Sequence, residues 1–296
     1  MYLVFDIGGT FVKYALVSTA GEISSKGKIP TLLDQGVSGF IESLKGVYQQ
    51  FKGQVDGIAI STPGAVDVDQ GIVYNGGNLP FLHEQCLKDL VSDACDGLNV
   101  AVENDGKCAG LAEVWIGSAK DVQDAVVIAF GTGIAGAIIK DKKIHRGNRL
   151  TAGEVSFLIN NMDRHQKQTI WAHQNSSLVL GQRLGAIKGI EGLSGEQFFE
   201  MLHQGDQDAL EILKDFAYSA ATQLYNLQLI FDPDLICIGG GISEQPRLIE
   251  EIKNQVEVIW EQIPHVAKPM VVKCKFNNDS NLLGALYNYM QVYHLN

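Results

Sequence analysis

Apolar positions along the chain follow two spacings. Short apolar runs bounded by Gly, Pro, Asn or Asp predict strands, at residues 2–5, 12–17, 55–60, 98–102, 124–130, 134–139, 235–238 and 271–275. Apolar residues three and four apart predict helices, at about residues 37–51, 105–115, 210–227, 248–263 and 282–289. Residues 160–177 are polar with little periodicity, which predicts a loop that could contain a helix. This alternation of strands and helices is typical of an α/β fold.

The first two predicted strands are joined by a glycine-rich turn. Gly8 and Gly9 permit positive φ and close approach by a ligand, and Thr10 adds a hydroxyl donor. We therefore predict a β-hairpin whose tip offers backbone N–H groups to a phosphate. Asp6, at the strand end, could hold a metal-bound water or orient an attacking hydroxyl. The plainer alternative is an ordinary hairpin with a surface aspartate.

A second hairpin of the same design lies near the middle of the chain. Two apolar runs, 124–130 and 134–139, flank a turn made of Gly131, Thr132 and Gly133. The motif is weak alone, but its pairing with the first hairpin predicts a duplicated domain with two phosphate-binding turns.

Three further places carry candidate chemistry. Asp105 lies where a strand passes into a helix, so it could cap the helix or act there as an ionised general base. The local sequence leaves both roles open. Glu154 is a carboxylate in a glycine-supported turn. Gly239, Gly240 and Gly241 follow an apolar strand and either admit a flat ligand such as a purine or form a flexible loop.

Composition and charge narrow the possible functions. The chain has 296 residues, 46% hydrophobic, with 32 glycines and 7 prolines, which indicates one large globular domain or two ordinary ones. A net charge of −11 and a pI near 5.1 argue against nucleic acid as a main partner. We recognise no membrane-spanning run and no signal peptide. The five cysteines lack metal-like spacing, so we expect reduced thiols in a cytoplasmic protein.

Taken in order, these motifs resemble the ROK family of repressors and sugar kinases, within the superfamily of actin-like and sugar-kinase ATPases. The resemblance covers essentially the whole chain; no single motif is decisive, but the ordered set is specific. The motifs are Asp6-Ile7-Gly8-Gly9-Thr10 with Lys13, Pro63-Gly64-Ala65-Val66-Asp67, Asn78-Leu79-Pro80, Glu103-Asn104-Asp105, Gly131-Thr132-Gly133-Ile134 with Gly136, Ala152-Gly153-Glu154, Ile238-Gly239-Gly240-Gly241-Ile242-Ser243 and Gly284-Ala285.

The resemblance implies two ribonuclease-H-like domains with an active cleft between them, one of residues 1–115 completed by 281–296 and one of residues 116–280. It makes Asp105 the general base that deprotonates a sugar hydroxyl, most often the 6-hydroxyl. The implied sugar-binding residues are Gly64, Ala65, Val66, Asn78, Asn104 and Glu154. ATP and its phosphates would be bound by Asp6, Gly8, Gly9, Thr10, Lys13, Gly131, Thr132, Gly133, Gly240 and Gly241. Asp6 would hold Mg²⁺ through water, and the family also implies a homodimer.

The sequence departs from the family at one module. Many members carry a Gly-His pair where this chain has Ser156 and Phe157, and the cysteine-rich zinc cluster that follows is missing here. We therefore expect no zinc, with His165 and His173 as surface or pocket residues, and Phe157 could offer an apolar face to the acceptor. Zinc-free relatives include kinases similar to N-acetylmannosamine kinases and to β-glucoside kinases. We favour N-acetylmannosamine as the acceptor, with β-glucoside kinase and glucokinase or fructokinase as the alternatives.

Two other classes of protein compete with an ATP-dependent sugar kinase. A sugar-responsive repressor would need an N-terminal helix-turn-helix, whereas this acidic chain opens in a strand at Tyr2. A non-catalytic sugar-binding or regulatory protein would not need Asp6, Asp105 and both glycine turns. The expected partners are therefore a small-molecule sugar, ATP and a second copy of the chain, without nucleic acid or membrane.

Overall fold

The computed structural model describes residues 1–77, 79–161, 165 and 169–295. The strands are β1 (Tyr2–Ile7), β2 (Phe11–Val17), β3 (Ile23–Pro30), β4 (Gly57–Thr62), β5 (Ala65–Asp67), β6 (Ile72–Tyr74), β7 (Gln85–Cys86), β8 (Val100–Asn104), β9 (Ala125–Phe130), β10 (Ile134–Lys140), β11 (Lys143–Ile144), β12 (Leu235–Gly239) and β13 (Val271–Lys273). The helices are α1 (Gly36–Gln50), α2 (Leu87–Ala94), α3 (Asp105–Ile116), α4 (Ala172–Asn175), α5 (Ser177–Lys188), α6 (Gly195–His203), α7 (Gln207–Phe231), α8 (Pro246–Gln262) and α9 (Ser280–Val292).

The chain divides into two compact units. Unit 1 consists of Met1–Ile116, Arg146–Thr151 and Asp279–Asn296, and unit 2 of Gly117–His145 and Ala152–Asn278. The domain limits implied by the family resemblance, 115/116 and 280/281, stay a prediction.

Unit 1 is built on a sheet with the strand order β3-β2-β1-β4-β8. β1, β2 and β3 are antiparallel neighbours, whereas β1, β4 and β8 are parallel. β4 and β8 are buried along their whole length, as near-continuous apolar strands of a covered parallel sheet are. α3 and α9 pack closely, because a Cβ placed on Gly284 would lie 1.7 Å from the Cys108 carbonyl oxygen.

Unit 2 repeats this arrangement with the strand order β11-β10-β9-β12-β13. The first three strands are again antiparallel, and β9, β12 and β13 are parallel. Its core includes Trp171, fully buried with its ring edge-on to Phe130 at a centroid distance of 5.8 Å. The shared strand order confirms the duplication predicted from the two glycine-tipped hairpins.

The strands and helices predicted from the pattern are present, with ends displaced by a few residues. The pattern missed β3, because this edge strand is mostly exposed and lacks an apolar alternation. It also missed α2, α5 and α6 and the short strands β5, β6, β7 and β11. α6 does carry a local signal, a capping box in which Ser194 Oγ accepts from Gln197 N and the Gln197 side chain accepts from Ser194 N.

Candidate active site

The turn between β1 and β2 forms the hairpin that the sequence predicted. Gly8 N donates a hydrogen bond to Phe11 O at 3.0 Å, and Thr10 is exposed at the tip. Gly8 does not take a left-handed φ, so the expectation that glycine is needed there for a positive φ is wrong. The requirement is space, since a Cβ on Gly8 would lie 3.0 Å from Phe11 O.

The Asp6 carboxylate is held by donors from distant parts of unit 1. Only 7% of Asp6 is exposed, so the alternative of a surface aspartate is wrong. Its Oδ1 accepts hydrogen bonds from Ser61 Oγ and from Asn281 Nδ2, each at 3.0 Å, and Lys13 Nζ lies 3.5 Å from Oδ2. A fixed carboxylate beside the predicted phosphate-binding turn offers the oxygen ligands that Mg²⁺ prefers.

Asn281 is therefore predicted to affect the use of metal–ATP, because it holds the Asp6 carboxylate in place. Asn281→Ala removes one donor from Asp6, and loss of such an outer partner typically costs about 10- to 100-fold in metal affinity or activity. We expect kcat/KM for the metal–ATP complex to fall by about tenfold. Asn281→Asp, which sets a second carboxylate against Asp6, is expected to lose more. Steady-state kinetics with varied metal–ATP checks both; a larger loss from Ala than from Asp would contradict this role.

Asp105 is the first residue of α3, and its neighbour caps the helix. Asn104 Oδ1 accepts a hydrogen bond from Lys107 N at 3.0 Å, the usual capping contact, so the capping role considered for Asp105 belongs to Asn104. Asp105 Oδ1 accepts from Gly106 N at 2.7 Å and from Asn104 Nδ2 at 3.0 Å. Both contacts favour the ionised carboxylate, the form that a general base needs.

The predicted sugar-binding turn lies against the same residues. Asn104 Nδ2 also donates to Gly64 O at 2.9 Å, which joins the turn before β5 to the start of α3. Gly64 has a φ of +99°, and a Cβ there would lie 2.7 Å from Tyr74 O, so the position requires glycine. Ala65 and Val66 continue as β5, paired with β6. Asn78, another predicted sugar ligand, lies outside the described residues.

Carboxylates gather around one buried thiol in unit 1. Cys108, on α3, is fully buried, and burial raises the pKa of its thiol well above the usual value, with further increases from Glu103, Asp6 and Asp105. Three acidic side chains therefore act on one point in the protein interior.

The β9–β10 turn in unit 2 has room for a ligand. Gly131 N donates to Gly133 O at 2.9 Å, and no described atom lies within 4 Å of a Cβ placed on Gly133 or Gly241. Gly240 serves a different purpose, since it has a φ of +85° and its Cβ would lie 2.2 Å from Phe130 O. Gly240 thus lets the end of β12 approach the end of β9 closely.

Glu154 follows a close contact between two glycines. A Cβ on Gly136 would lie 2.5 Å from Gly153 O, and Gly153 has a φ of +86°. Val155 is buried, while Phe157, whose N donates to Glu154 O at 3.2 Å, is 66% exposed. An aromatic ring is therefore presented to solvent one turn after the predicted sugar-binding carboxylate.

The segment after Phe157 is tied to α7 by side-chain amides. Asn160 Nδ2 donates to Ser219 Oγ at 2.8 Å, and Asn160 Oδ1 accepts from Gln223 Nε2 at 2.8 Å. His173 lies in the short helix α4. Within the part of the chain that the structure describes, no group of three or more His, Cys, Asp or Glu side chains could hold a metal ion. The zinc-free character stays a prediction for metal analysis.

Comparison with known proteins gives the family. The model of the ROK family matches residues 2–291. The chain belongs to the ROK family. The β-glucoside kinase of Listeria monocytogenes is 32% identical over 292 residues, 97% of this chain and 96% of that relative. Relatives called glucokinase and N-acetylmannosamine kinase match at 26% and 25% identity.

Solved ROK structures agree with the fold. A ROK family protein from Streptococcus pneumoniae in complex with sucrose has a TM-score of 0.89 at 27% identity, covering 99% of both chains. A ROK family glucokinase from Streptomyces griseus in complex with glucose and AMPPNP has a TM-score of 0.82 at 26% identity, covering 96% of this chain and 97% of that one. The fold is that of the actin-like ATPases, and the enzyme class is that of a sugar kinase. No helix in the described ranges is long and apolar enough to cross a membrane.

Proposed function

We propose that this ROK protein transfers the γ-phosphoryl group of ATP to the 6-hydroxyl of a β-glucoside. The observation that carries the proposal is the Asp105 carboxylate, held by two N–H donors beside the Gly64 turn. The acceptor class is supported by the 32% identity to a β-glucoside kinase over 97% of this chain.

In the proposed reaction Asp105 accepts the proton of the sugar hydroxyl. The sugar oxygen forms a bond to the γ-phosphorus, the bond from that phosphorus to the β–γ bridging oxygen breaks, and ADP leaves with that electron pair. Mg²⁺, when bound, neutralises charge on the phosphate oxygens. Asp6 would hold it through water, and the turns at Gly8–Thr10 and Gly131–Gly133 would donate N–H groups to phosphate oxygens. Lys13 and the glycines Gly240 and Gly241 complete the proposed nucleotide site.

The acceptor is bound, in this proposal, by the residues that the family resemblance assigned: Gly64, Ala65, Val66, Asn78, Asn104 and Glu154. Phe157 supplies an apolar face for the aglycone, because its side chain is exposed three residues after Glu154. Aromatic faces stack well on the apolar faces of sugar rings, and burying such a ring is favourable. Homodimerisation stays part of the proposal, without an observation of its own.

N-acetylmannosamine is the second candidate acceptor. It was the first choice from the sequence, and a relative with that activity in its name matches over 96% of this chain. We now rank it second because the identity there is 25%, against 32% for the β-glucoside kinase.

A coupled assay with ATP, Mg²⁺ and a set of acceptors tests the proposed function. The set contains cellobiose, glucose, fructose, mannose, N-acetylglucosamine and N-acetylmannosamine. We expect the highest kcat/KM with cellobiose. A preference for N-acetylmannosamine would favour the second candidate, and nucleotide binding without turnover on any acceptor would favour a non-catalytic binding protein.

Replacement of Phe157 is predicted to separate disaccharide from monosaccharide acceptors. Phe157→Ala removes the exposed ring, so KM for cellobiose is expected to rise by about fivefold or more, the equivalent of about 1 kcal/mol of lost contact. KM for glucose, which has no aglycone, is expected to change less than twofold. Ile187→Ala, an exposed apolar side chain on α5, is the matched control and should change neither KM. Equal effects on both acceptors would contradict the aglycone contact.

A further inference from the structure

Glu103 is a carboxylate enclosed in the interior of unit 1. It lies near the end of β8 and is 0% exposed. A buried carboxylate is costly unless it is both paired and hydrogen-bonded. Here Arg146 Nη2 forms an ion pair with Glu103 Oε2, and Asn104 N donates to Glu103 Oε1 at 2.8 Å. Both oxygens of this buried group are therefore engaged.

Arg146, the partner of Glu103, lies in a short segment that packs with unit 1. Arg146–Thr151 packs with unit 1, whereas the residues before and after it belong to unit 2. The Arg146 side chain is 27% exposed, so the ion pair has little solvent around its acidic member. Through this pair, the segment Arg146–Thr151 is fixed to the end of β8.

From Glu103, hydrogen bonds lead directly to the proposed base. The backbone N of Asn104 is bound by Glu103, and the side-chain Nδ2 of Asn104 is bound to both Gly64 O and Asp105 Oδ1. The position of Asn104 therefore sets the direction of the Asp105 carboxylate. The residues form a continuous series: Arg146, Glu103, Asn104 and Asp105.

We infer that Arg146 and Glu103 are positioning residues for Asp105, which they orient through Asn104. This inference rests on the proposed function, in which Asp105 is the base. Neither Arg146 nor Glu103 acts as proton acceptor. Their effect is on the geometry of the base, and a displacement of about 1 Å in such a group can cost about 10²-fold in rate.

Removal of one member of the Arg146–Glu103 ion pair leaves the charge of the other buried without a partner charge. Arg146→Gln leaves the Glu103 carboxylate buried and unpaired, which is strongly unfavourable, so β8 is expected to shift at Asn104. Removal of both charges, in the double variant Glu103→Gln and Arg146→Gln, allows two neutral amides to hydrogen-bond in the same place. The double change therefore avoids the buried, unpaired charge that makes removal of one partner so costly.

Kinetics of four variants test the inference. We expect Arg146→Gln to lower kcat by about 10- to 100-fold, with KM for sugar and for ATP changed less than threefold. The double variant is expected to regain at least tenfold of that loss, and Arg146→Lys, which keeps the charge without the planar fork, to lie between. Arg183→Gln, which breaks the exposed pair of Arg183 with Asp215 in unit 2, is the matched control and should leave kcat unchanged.

The outcomes separate positioning from simple support of the fold. Each rate is referred to the folded fraction, measured by circular dichroism at the assay temperature. If Arg146→Gln keeps its kcat within twofold, or if the double variant is no better than the single one, the inference is wrong. A rise in KM without a fall in kcat would also overturn it. Absence of turnover in the unaltered protein would overturn the proposed function and this inference together, so that failure is distinguishable from failure of the inference alone.

Discussion

We expect Asp105→Asn to lower kcat by about 10²- to 10⁴-fold, the usual contribution of a general base. The amide can still accept the hydrogen bonds that Asp105 Oδ1 receives from Gly106 N and Asn104 Nδ2, so the start of α3 should keep its shape. It cannot accept the proton of the sugar hydroxyl at neutral pH. Sugar binding, which does not need that proton transfer, is expected to stay within about threefold of the unaltered protein.

The measurement combines steady-state kinetics with calorimetric titration of the sugar. Asp93→Asn is the matched control, because Asp93 is an exposed aspartate on α2 in the same unit. It makes the same chemical change without touching the site, and its kcat should equal that of the unaltered protein. A kcat near the original value for Asp105→Asn would show that another group takes the proton.

The second large effect is expected at Gly284, where α9 crosses α3. Gly284→Ala would put a methyl group 1.7 Å from the Cys108 carbonyl oxygen, and this neighbour is backbone that cannot rotate away. The two helices must separate, and forced overpacking of this kind typically costs about 1–3 kcal/mol. Since the contact is so short, we expect a loss of about 3 kcal/mol in the free energy of unfolding, with Tm lower by about 6 °C or more.

Differential scanning calorimetry measures this change, with Gly46→Ala as the control. Gly46 lies inside α1, and no described atom is within 4 Å of a Cβ placed there. The same substitution is therefore expected to raise the free energy of unfolding by about 0.4–1 kcal/mol, because alanine has the higher helix propensity. Equal Tm shifts in the two variants would contradict the close packing of α3 on α9. Because α3 begins at Asp105, a fall in kcat is expected to accompany the fall in Tm at Gly284.

Much of the fold could be predicted because its signals are local. The β1–β2 and β9–β10 hairpins each join apolar runs through a glycine turn, and the strand-to-helix junction at Asp105 follows from a change in apolar spacing. These features also locate the candidate site, since ligands of such folds bind at strand ends and turns. The edge strand β3 gave no comparable signal, because its side chains alternate too little in polarity.

Contacts across long stretches of chain could not be predicted. Asn281 donates a hydrogen bond to Asp6, 275 residues away in the sequence, and Arg146 donates one to Glu103, 43 residues away. Neither residue stands out in its own surroundings, since asparagine near a helix start and arginine in a polar loop are ordinary. The sequence also could not decide which of Asn104 and Asp105 caps α3, because either side chain is suited to cap a helix.

The sequence by itself determined the α/β class, the duplicated hairpins, the family and the place of the candidate base, because each depends on residue types at short, fixed spacings. The tertiary structure alone decided which side chains hold Asp6 and orient Asp105, that Gly8 serves close approach, and that Glu103 is a buried partner of Arg146. The physical reason is that burial and hydrogen-bond pairing depend on which distant segments the packed sheets bring together. The spacing of residues along the chain does not predict these long-range contacts.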